Sequence, residues 1–198
     1  MAWTYQKQLD RNPAKLVTPG ASLSALSQSY DRQSDAANDL EQEASIADPL
    51  VVQREVQIAA PRATVFAFLT DPERILSWLG TEAKTEPHPG GLYLVKGVGG
   101  DPTRVARGAF REVVPVHRLA YSFGWEAGKE VPPDSSLIEI DLAERDGGTL
   151  VRLTHSGLPN AAQCAAHDAG WAYYMDRLAV AAAGGNPGTD RGAEAARG

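Results

Sequence analysis

The sequence predicts an α+β domain in which a curved antiparallel sheet wraps around one long C-terminal helix. One strand-like segment comes first and is followed by two short helices, and six further segments with period-two alternation then follow at hairpin spacing. The last periodic segment, about 160–183, has helical spacing. Consecutive strands joined by short turns favour antiparallel pairing, and a twisted sheet of this size tends to curl. One long helix can close the concave side.

The first elements are marked by their start signals. Residues 50–58 alternate between apolar and polar side chains, which is typical of a strand. Pro61 begins a helix, because the N–H that proline lacks is not needed in a first turn. A second short helix begins with Asp71 as its N-cap and Pro72 in its first position, and its apolar residues extend to Leu79.

The six later strands are separated by glycine and proline residues. We expect them at 81–86, 91–97, 103–114, 117–125, 135–144 and 149–156. The Asp-Gly-Gly sequence at 146–148 predicts a hairpin between the last two. Asn160 can cap the final helix, and the glycine pair at 184–185 can end it.

The two ends of the chain differ in composition from this central part. Residues 1–48 are rich in Ser, Gln, Asp and Ala, with too few large apolar residues for a core, which indicates a flexible polar arm. Leu23, Leu26 and Tyr30 have helical spacing there, so a short docking helix is the alternative. Residues 185–198 contain Gly, Pro and charged residues without periodicity, which predicts a disordered tail. The folded domain is therefore expected at 49–184.

Composition and charge exclude several classes of function. The 198 residues are 43% hydrophobic and 22% charged, which fits a soluble globular protein with a core. The net charge of −6 argues against a nucleic-acid partner, because the chain would repel phosphates. No segment is long and apolar enough for a membrane span, and the first residues lack a signal-peptide pattern. Cys164 is the single cysteine, so no intrachain disulfide can form and a cytoplasmic location is expected.

Alternation along the predicted strands places many aromatic side chains on one face of the sheet. A 3.6-residue period adds further large residues from the final helix. One interpretation is a packed core with a few buried hydrogen bonds, and the other is an apolar pocket with a few directed polar groups. The candidate ligand-binding residues of the second interpretation are Arg54, Phe66, Trp78, Tyr93, Phe110, Tyr121, Phe123, Trp125, Ile138, Ile140, Leu153, His155, Trp171 and Met175.

The sequence contains no recognised catalytic motif, and we predict neither a cofactor nor a metal site. His155 shares the inward parity of its strand and is the one catalytic candidate, as a general base or a polar contact to a ligand. The alternative is a histidine whose ring nitrogens are satisfied by neighbouring groups. We expect His88 in solvent, His117 at a strand end, and His167, next to Asp168, on a wet helix surface.

Two further candidates have alternatives that the sequence leaves open. Arg54 shares the parity of the apolar face of its strand, so it could pair with a ligand carboxylate if that face is inward. Otherwise a neighbour on the Glu55 side, or solvent at the sheet edge, must satisfy it, because a buried unpaired arginine is costly. Trp78 could pack the helical cap over the sheet, or it could take part in gating.

Five segments of the chain resemble one known family. They are "APRATVFAFLTDPERILSWLG", "HPGGLYLV", "GAFREVVPVHRLAYSF", "TLVRLTHSGLPN" and "HDAGWAYYMDRLA", in the order in which the family has them. Together they span about residues 50–183 and are similar to homologues of the activator of heat-shock protein 90 ATPase, within the START-like (SRPBCC) superfamily. The Gly-Trp pair of the last segment is particularly characteristic. The resemblance implies a helix-grip fold with a cavity between the sheet and the C-terminal helix.

The resemblance implies several kinds of function. The superfamily includes lipid carriers, hormone receptors, polyketide cyclases and hydroxylase components. The eukaryotic relatives that name the family bind a chaperone and stimulate its ATPase, a role in the stress response. Those relatives carry an additional chaperone-binding domain, and residues 1–48 are too short and polar to replace it. The hypotheses are therefore binding of a hydrophobic small molecule, a cyclase- or hydrolase-like enzyme, and a chaperone-interacting ATPase regulator. The sequence does not set the oligomeric state.

Overall fold

The fold is built on one seven-stranded antiparallel sheet. In the computed structural model, which describes residues 50–195, the strands are β1 (Val52–Ile58), β2 (Glu82–Thr85), β3 (Leu92–Lys96), β4 (Val105–Val114), β5 (Arg118–Phe123), β6 (Ser136–Arg145) and β7 (Gly148–Ser156). The helices are α1 (Arg62–Thr70), α2 (Pro72–Ile75), α3 (Ala161–Ala182) and the short α4 (Gly192–Ala195), and a 3-10 turn (Val98–Gly100) follows β3. The predicted 1–48 arm and its helical spacing lie outside the described residues.

The strand order is β1-β7-β6-β5-β4-β3-β2. Strands β2 to β7 therefore form a meander, and β1 pairs with β7 at the far edge. Helices α1 and α2 carry the chain between the two edges, and the sheet curves around α3. The predicted helix-grip architecture is confirmed. Among residues 50–195, no helix combines the length and the apolar character that a bilayer crossing requires.

The predicted capping and turn residues have the expected geometry. Asp71 caps α2 by accepting a hydrogen bond from the backbone N–H of Glu73 at 2.9 Å, and Asn160 caps α3 through the N–H of Gln163 at 2.9 Å. In the β6–β7 hairpin, Asp146 and Gly147 both have positive φ values, 49° and 74°. Two such residues match the right-handed twist of the paired strands, so the turn fixes their register.

The core lies between the concave face of the sheet and the three helices that cover it. Phe110, Ile138 and Ile140 from the middle strands are almost completely excluded from solvent, as is Leu178 of α3. At one end, the rings of Tyr93 and Tyr121 stack with their centroids 4.1 Å apart, and Phe110 contacts both edge-on. This part of the interior is filled by packed side chains.

The prediction of a disordered tail differs from the structure for residues 185–195. The buried guanidinium of Arg177 donates hydrogen bonds to the backbone carbonyls of Pro187 (3.1 Å), Gly188 (2.9 Å) and Thr189 (3.3 Å). The carboxylate of Asp190 accepts a hydrogen bond from the Tyr174 hydroxyl at 3.3 Å. Composition alone did not predict that this segment packs on the domain, because hydrogen bonds with polar side chains hold it and no apolar stripe marks it in the sequence.

Candidate ligand-binding cavity

A cavity of about 140 Å³ lies between the sheet and α3. Its wall comes from the ends of β3, β4 and β5, from the turns that follow α2 and β3, and from one face of α3. Most of the wall is apolar or aromatic, and the polar side chains on it are few. The lining residues are Leu79, Tyr93, Val98, Arg104, Ala106, Phe123, Trp125, Gln163, Ala166, His167, Gly170, Trp171 and Tyr174.

The cavity has a buried floor and a mouth that reaches solvent. Tyr93, Phe123 and Trp171 form the floor, and each is buried. Arg104 and Ala166 are exposed and lie at the mouth, on opposite sides of it, since one precedes β4 and the other belongs to α3. The mouth therefore lies between the start of β4 and the first half of α3.

The backbone after β5 brings the aromatic side chains together. Trp125 lies two residues beyond Phe123, so both side chains point to the same face. The intervening Gly124 allows a close approach, because a Cβ at that position would lie 1.9 Å from the carbonyl oxygen of Pro132. The ring centroids of Phe123 and Trp125 are 5.2 Å apart in an edge-to-face arrangement.

His155 lies behind the floor of the cavity and orients Trp171. An indole N–H can only donate, so Nδ1 of His155 accepts the 3.1 Å hydrogen bond from Nε1 of Trp171. The proton of the neutral ring is then on Nε2, which donates to Oγ of Ser136 at 2.9 Å. Ser136 donates in turn to the carbonyl of Phe123 at 2.9 Å. Both nitrogens are therefore satisfied by neighbouring groups, as one of the two interpretations of the sequence proposed.

His167 repeats the arrangement on the cavity wall. Its Nε2 accepts a 3.3 Å hydrogen bond from Nε1 of Trp125, and its Nδ1 donates to the carbonyl of Gln163 at 2.8 Å. The imidazoles of His155 and His167 contact each other edge-on, with centroids 5.0 Å apart. Two tryptophans on the cavity are thus each held by one histidine.

Both histidines are neutral at physiological pH. Burial, with a smaller contribution from the neighbouring His167, lowers the pKa of His155 from 6.5 to about 3. Burial is also the largest cause of the lowered pKa of His167, and the nearby charge of Arg104 acts in the same direction. Because each ring uses both nitrogens, neither offers a free proton acceptor to a molecule in the cavity.

The predicted site residues divide into two groups. Tyr93, Phe123, Trp125 and Trp171 line the cavity. The others do not lie on its wall. Alternation gave the correct face of the sheet for most of them, but they pack within the interior. Arg54 lies at the sheet edge. This second group is Arg54, Phe66, Trp78, Phe110, Tyr121, Ile138, Ile140, Leu153, His155 and Met175.

Arg54 is satisfied by a protein carboxylate and not by the cavity. Its Nε donates to Asp168 of α3 at 2.7 Å, and its NH2 group donates to the other oxygen of the same carboxylate. Strand β1 is an edge strand packed against α3, which brings the two residues together. The partner is therefore a carboxylate of the C-terminal helix, and neither a neighbour on the Glu55 side nor solvent at the sheet edge.

The prediction for His167 is wrong. It was expected on a wet helix surface because Asp168 follows it, but it is buried and lines the cavity. Its position four residues before Trp171 was the available signal, since i and i+4 share a helix face. Gln163, Gly170 and Tyr174 lie on the same face of α3 and were also missed, although their spacing from Trp171 and His167 carried the same signal.

No group of three or more His, Cys, Asp or Glu side chains suited to a metal ion occurs in the described part of the chain. The side chains around the cavity are mostly apolar or aromatic. The curved sheet, the long helix and the cavity between them define a helix-grip protein.

The family follows from comparison with known proteins. The model of the family described as activator of Hsp90 ATPase homolog 1-like protein matches residues 59–183, so the chain belongs to this family. An AHSA1-like protein from Rhizobium etli, solved by NMR, is 66% identical; the match covers 71% of this chain and 86% of that one, with a TM-score of 0.58. A search of curated proteins finds no match.

Two further solved structures are similar. CalU16 from Micromonospora echinospora is 27% identical over 70% of this chain and 69% of that chain, with a TM-score of 0.56. DynU16, from the dynemicin biosynthetic locus, is 24% identical with a TM-score of 0.60, and the match covers 69% of this chain and 48% of DynU16. At that identity, the second likeness shows the fold alone.

Proposed function

We propose that the protein binds a small apolar or aromatic molecule in the cavity between the sheet and α3. Small-molecule sites are concave and mostly apolar, with a few placed polar groups, and this cavity has that make-up. Its volume of about 140 Å³ sets the size of the buried part. An apolar cavity of about 150 Å³ in another protein holds one benzene molecule. The buried part of the ligand is therefore about one ring, and the rest extends through the mouth.

Gly170 is the observation that carries the proposal. It lies inside α3, where glycine costs about 1 kcal/mol of helix stability relative to alanine. A Cβ built at Gly170 meets no heavy atom within 4 Å, so crowding does not require glycine. Because Gly170 lines the cavity, the missing side chain keeps cavity space open at a cost in stability. Selection for stability alone would favour alanine here.

The experiment is a binding titration of one-ring aromatic compounds, followed by tryptophan fluorescence and by the shift in melting temperature. Trp125 and Trp171 lie on the wall, so a bound ring should change their emission. We expect Gly170→Ala to melt at a higher temperature than the native chain and to bind the same compounds several-fold more weakly. A structural role for Gly170 would instead lower the melting temperature.

A matched pair of variants tests the mouth. Ala165 and Ala166 are both exposed on α3, but only Ala166 lines the cavity. We expect Ala166→Phe to block binding and Ala165→Phe to leave it unchanged. Equal binding by the two variants, or no binding of any one-ring compound to the native chain, would refute the proposal.

The histidine geometry favours binding over acid–base turnover. His155 is completely buried, and His167 presents no free ring nitrogen to the cavity. An enzyme of the cyclase or hydrolase type would need one of these hydrogen-bond pairs to open before a proton could be transferred. Binding needs no such change.

A further inference from the structure

Arg104 differs from the other arginines near the sheet in its surroundings. Its guanidinium carbon lies 4.6 Å from the centroid of the Trp125 ring, at the mouth of the cavity. Arg54, Arg107 and Arg118 each pair with at least one carboxylate. Within residues 50–195, Arg104 has no carboxylate within salt-bridge distance and no side-chain hydrogen bond to a protein acceptor. Its five N–H groups are therefore not used by the described part of the protein.

The acidic groups around this opening already accept hydrogen bonds from the protein. Asp190 accepts hydrogen bonds from the backbone N–H of Gly99 at 3.0 Å and of Gly80 at 3.3 Å, as well as from the Tyr174 hydroxyl. Glu130 accepts a hydrogen bond from the side-chain amide of Gln163 at the mouth. Asp101, three residues before Arg104 in the chain, accepts hydrogen bonds from the backbone N–H of Thr103 at 2.8 Å and from its hydroxyl at 2.7 Å. These bonds, with a smaller contribution from the charge of Arg104, lower the pKa of Asp101. None of the three carboxylates forms an ion pair with Arg104, so its N–H groups remain available at the cavity opening.

The charge of Arg104 also reaches the cavity wall. It contributes to the lowered pKa of His167 and opposes the burial that raises the pKa of Tyr174. These two side chains lie on the α3 side of the cavity, across from Arg104. The lining is thus apolar, and Arg104 places a positive charge at its opening, which favours a molecule that is apolar at one end and anionic at the other.

We propose that Arg104 binds a carboxylate at the solvent end of the ligand, so that the substrate class of this site is a small aryl carboxylate. This inference rests on the proposed function, since it assumes that the apolar body occupies the cavity. Stacking on Trp125 holds one face of the guanidinium and leaves its N–H edge free. That edge matches the two oxygens of a carboxylate, and the planar fork makes arginine better suited to this contact than lysine.

The test compares two probes of the same shape and different charge, 4-ethylbenzoate and 4-ethylbenzamide, in calorimetric titrations of the full chain. The variants are Arg104→Gln, which removes the charge, and Arg104→Lys, which keeps it. The control is Arg107→Gln, which changes the net charge equally at an exposed position paired with Glu126. A charge-assisted hydrogen bond at a half-open site corresponds to about a tenfold change in affinity.

We expect the benzoate to bind the native chain more tightly than the benzamide. Arg104→Gln should weaken benzoate binding about tenfold and leave benzamide binding within twofold. Arg104→Lys should retain part of the preference, and Arg107→Gln all of it. If both probes bind but Arg104→Gln changes them equally or not at all, the carboxylate assignment is overturned while the cavity function stands. If neither probe binds the native chain, the proposed function fails with it.

Discussion

Acidification should destabilise this protein through His155. The ring is completely buried, and burial is the main reason that its pKa falls from 6.5 to about 3. A histidine with a lowered pKa is protonated in the unfolded chain before it is protonated in the folded one. Its contribution is therefore fully present above about pH 6.5 and is lost progressively as the pH falls from there towards 3.

The size of the effect follows from the two pKa values. At pH 5, the unfolded chain has bound the proton and the folded chain has not. Since this pH lies about 1.5 units below the ordinary pKa of histidine, the loss is about 2 kcal/mol of unfolding free energy. His167, whose pKa is lowered for the same main reason, adds a loss of the same sign.

The assay is urea unfolding at pH 7, 6 and 5, with His155→Gln as the comparison. Glutamine can still accept from Trp171 and donate to Ser136, but it does not titrate. Carboxylates titrate in both proteins, so their effect cancels in the difference. We expect the stability advantage of the native chain to shrink by about 2 kcal/mol between pH 7 and pH 5. A constant difference would show that burial does not hold His155 neutral.

Three other substitutions or deletions have defined expectations. Gly108→Ala would place a Cβ 1.6 Å from a carbonyl oxygen of the facing strand β5, so we expect a loss of more than about 2 kcal/mol in urea unfolding. Asp168→Ala removes the partner of Arg54, but both side chains are partly exposed, so the same measurement should change by less than about 1 kcal/mol. Truncation after Gly184 removes the carbonyls that accept from Arg177, and calorimetry should show a lower melting temperature; an unchanged value would mean that the tail contributes nothing.

The fold could be predicted because its signals are local. Asp71 and Asn160 cap helices through their own side chains, and the turn at Asp146 needs only the residues that form it. Period-two alternation then gives each strand one buried face. None of these inferences depends on how distant side chains fill space.

The cavity wall could be predicted only in part. Alternation along a strand indicates which face of the sheet a side chain lies on, but not how much empty space lies beside it. Phe110 and Phe123 share the concave face, yet Phe110 packs behind Tyr93 of the cavity floor and Phe123 lines the cavity itself. Arg104 precedes β4 in a turn, where alternation says nothing about direction. The four-residue spacing between His167 and Trp171 indicated that both lie on the buried face of the helix. The charge of Asp168 led instead to the prediction that His167 is exposed.

The two histidines explain why the cavity stays open. Protein interiors pack at high density, and a large ring that is free to rotate would fill a neighbouring void. Here each tryptophan on the wall is fixed by a hydrogen bond that its indole N–H can make to one ring nitrogen, Trp171 to His155 and Trp125 to His167. For the buried Trp171, leaving that position would leave its donor without a partner, at a cost of about 1–3 kcal/mol. Trp125 is half-buried, so the cost there is smaller. The two histidines therefore hold the aromatic side chains of the wall in place and prevent them from occupying the cavity.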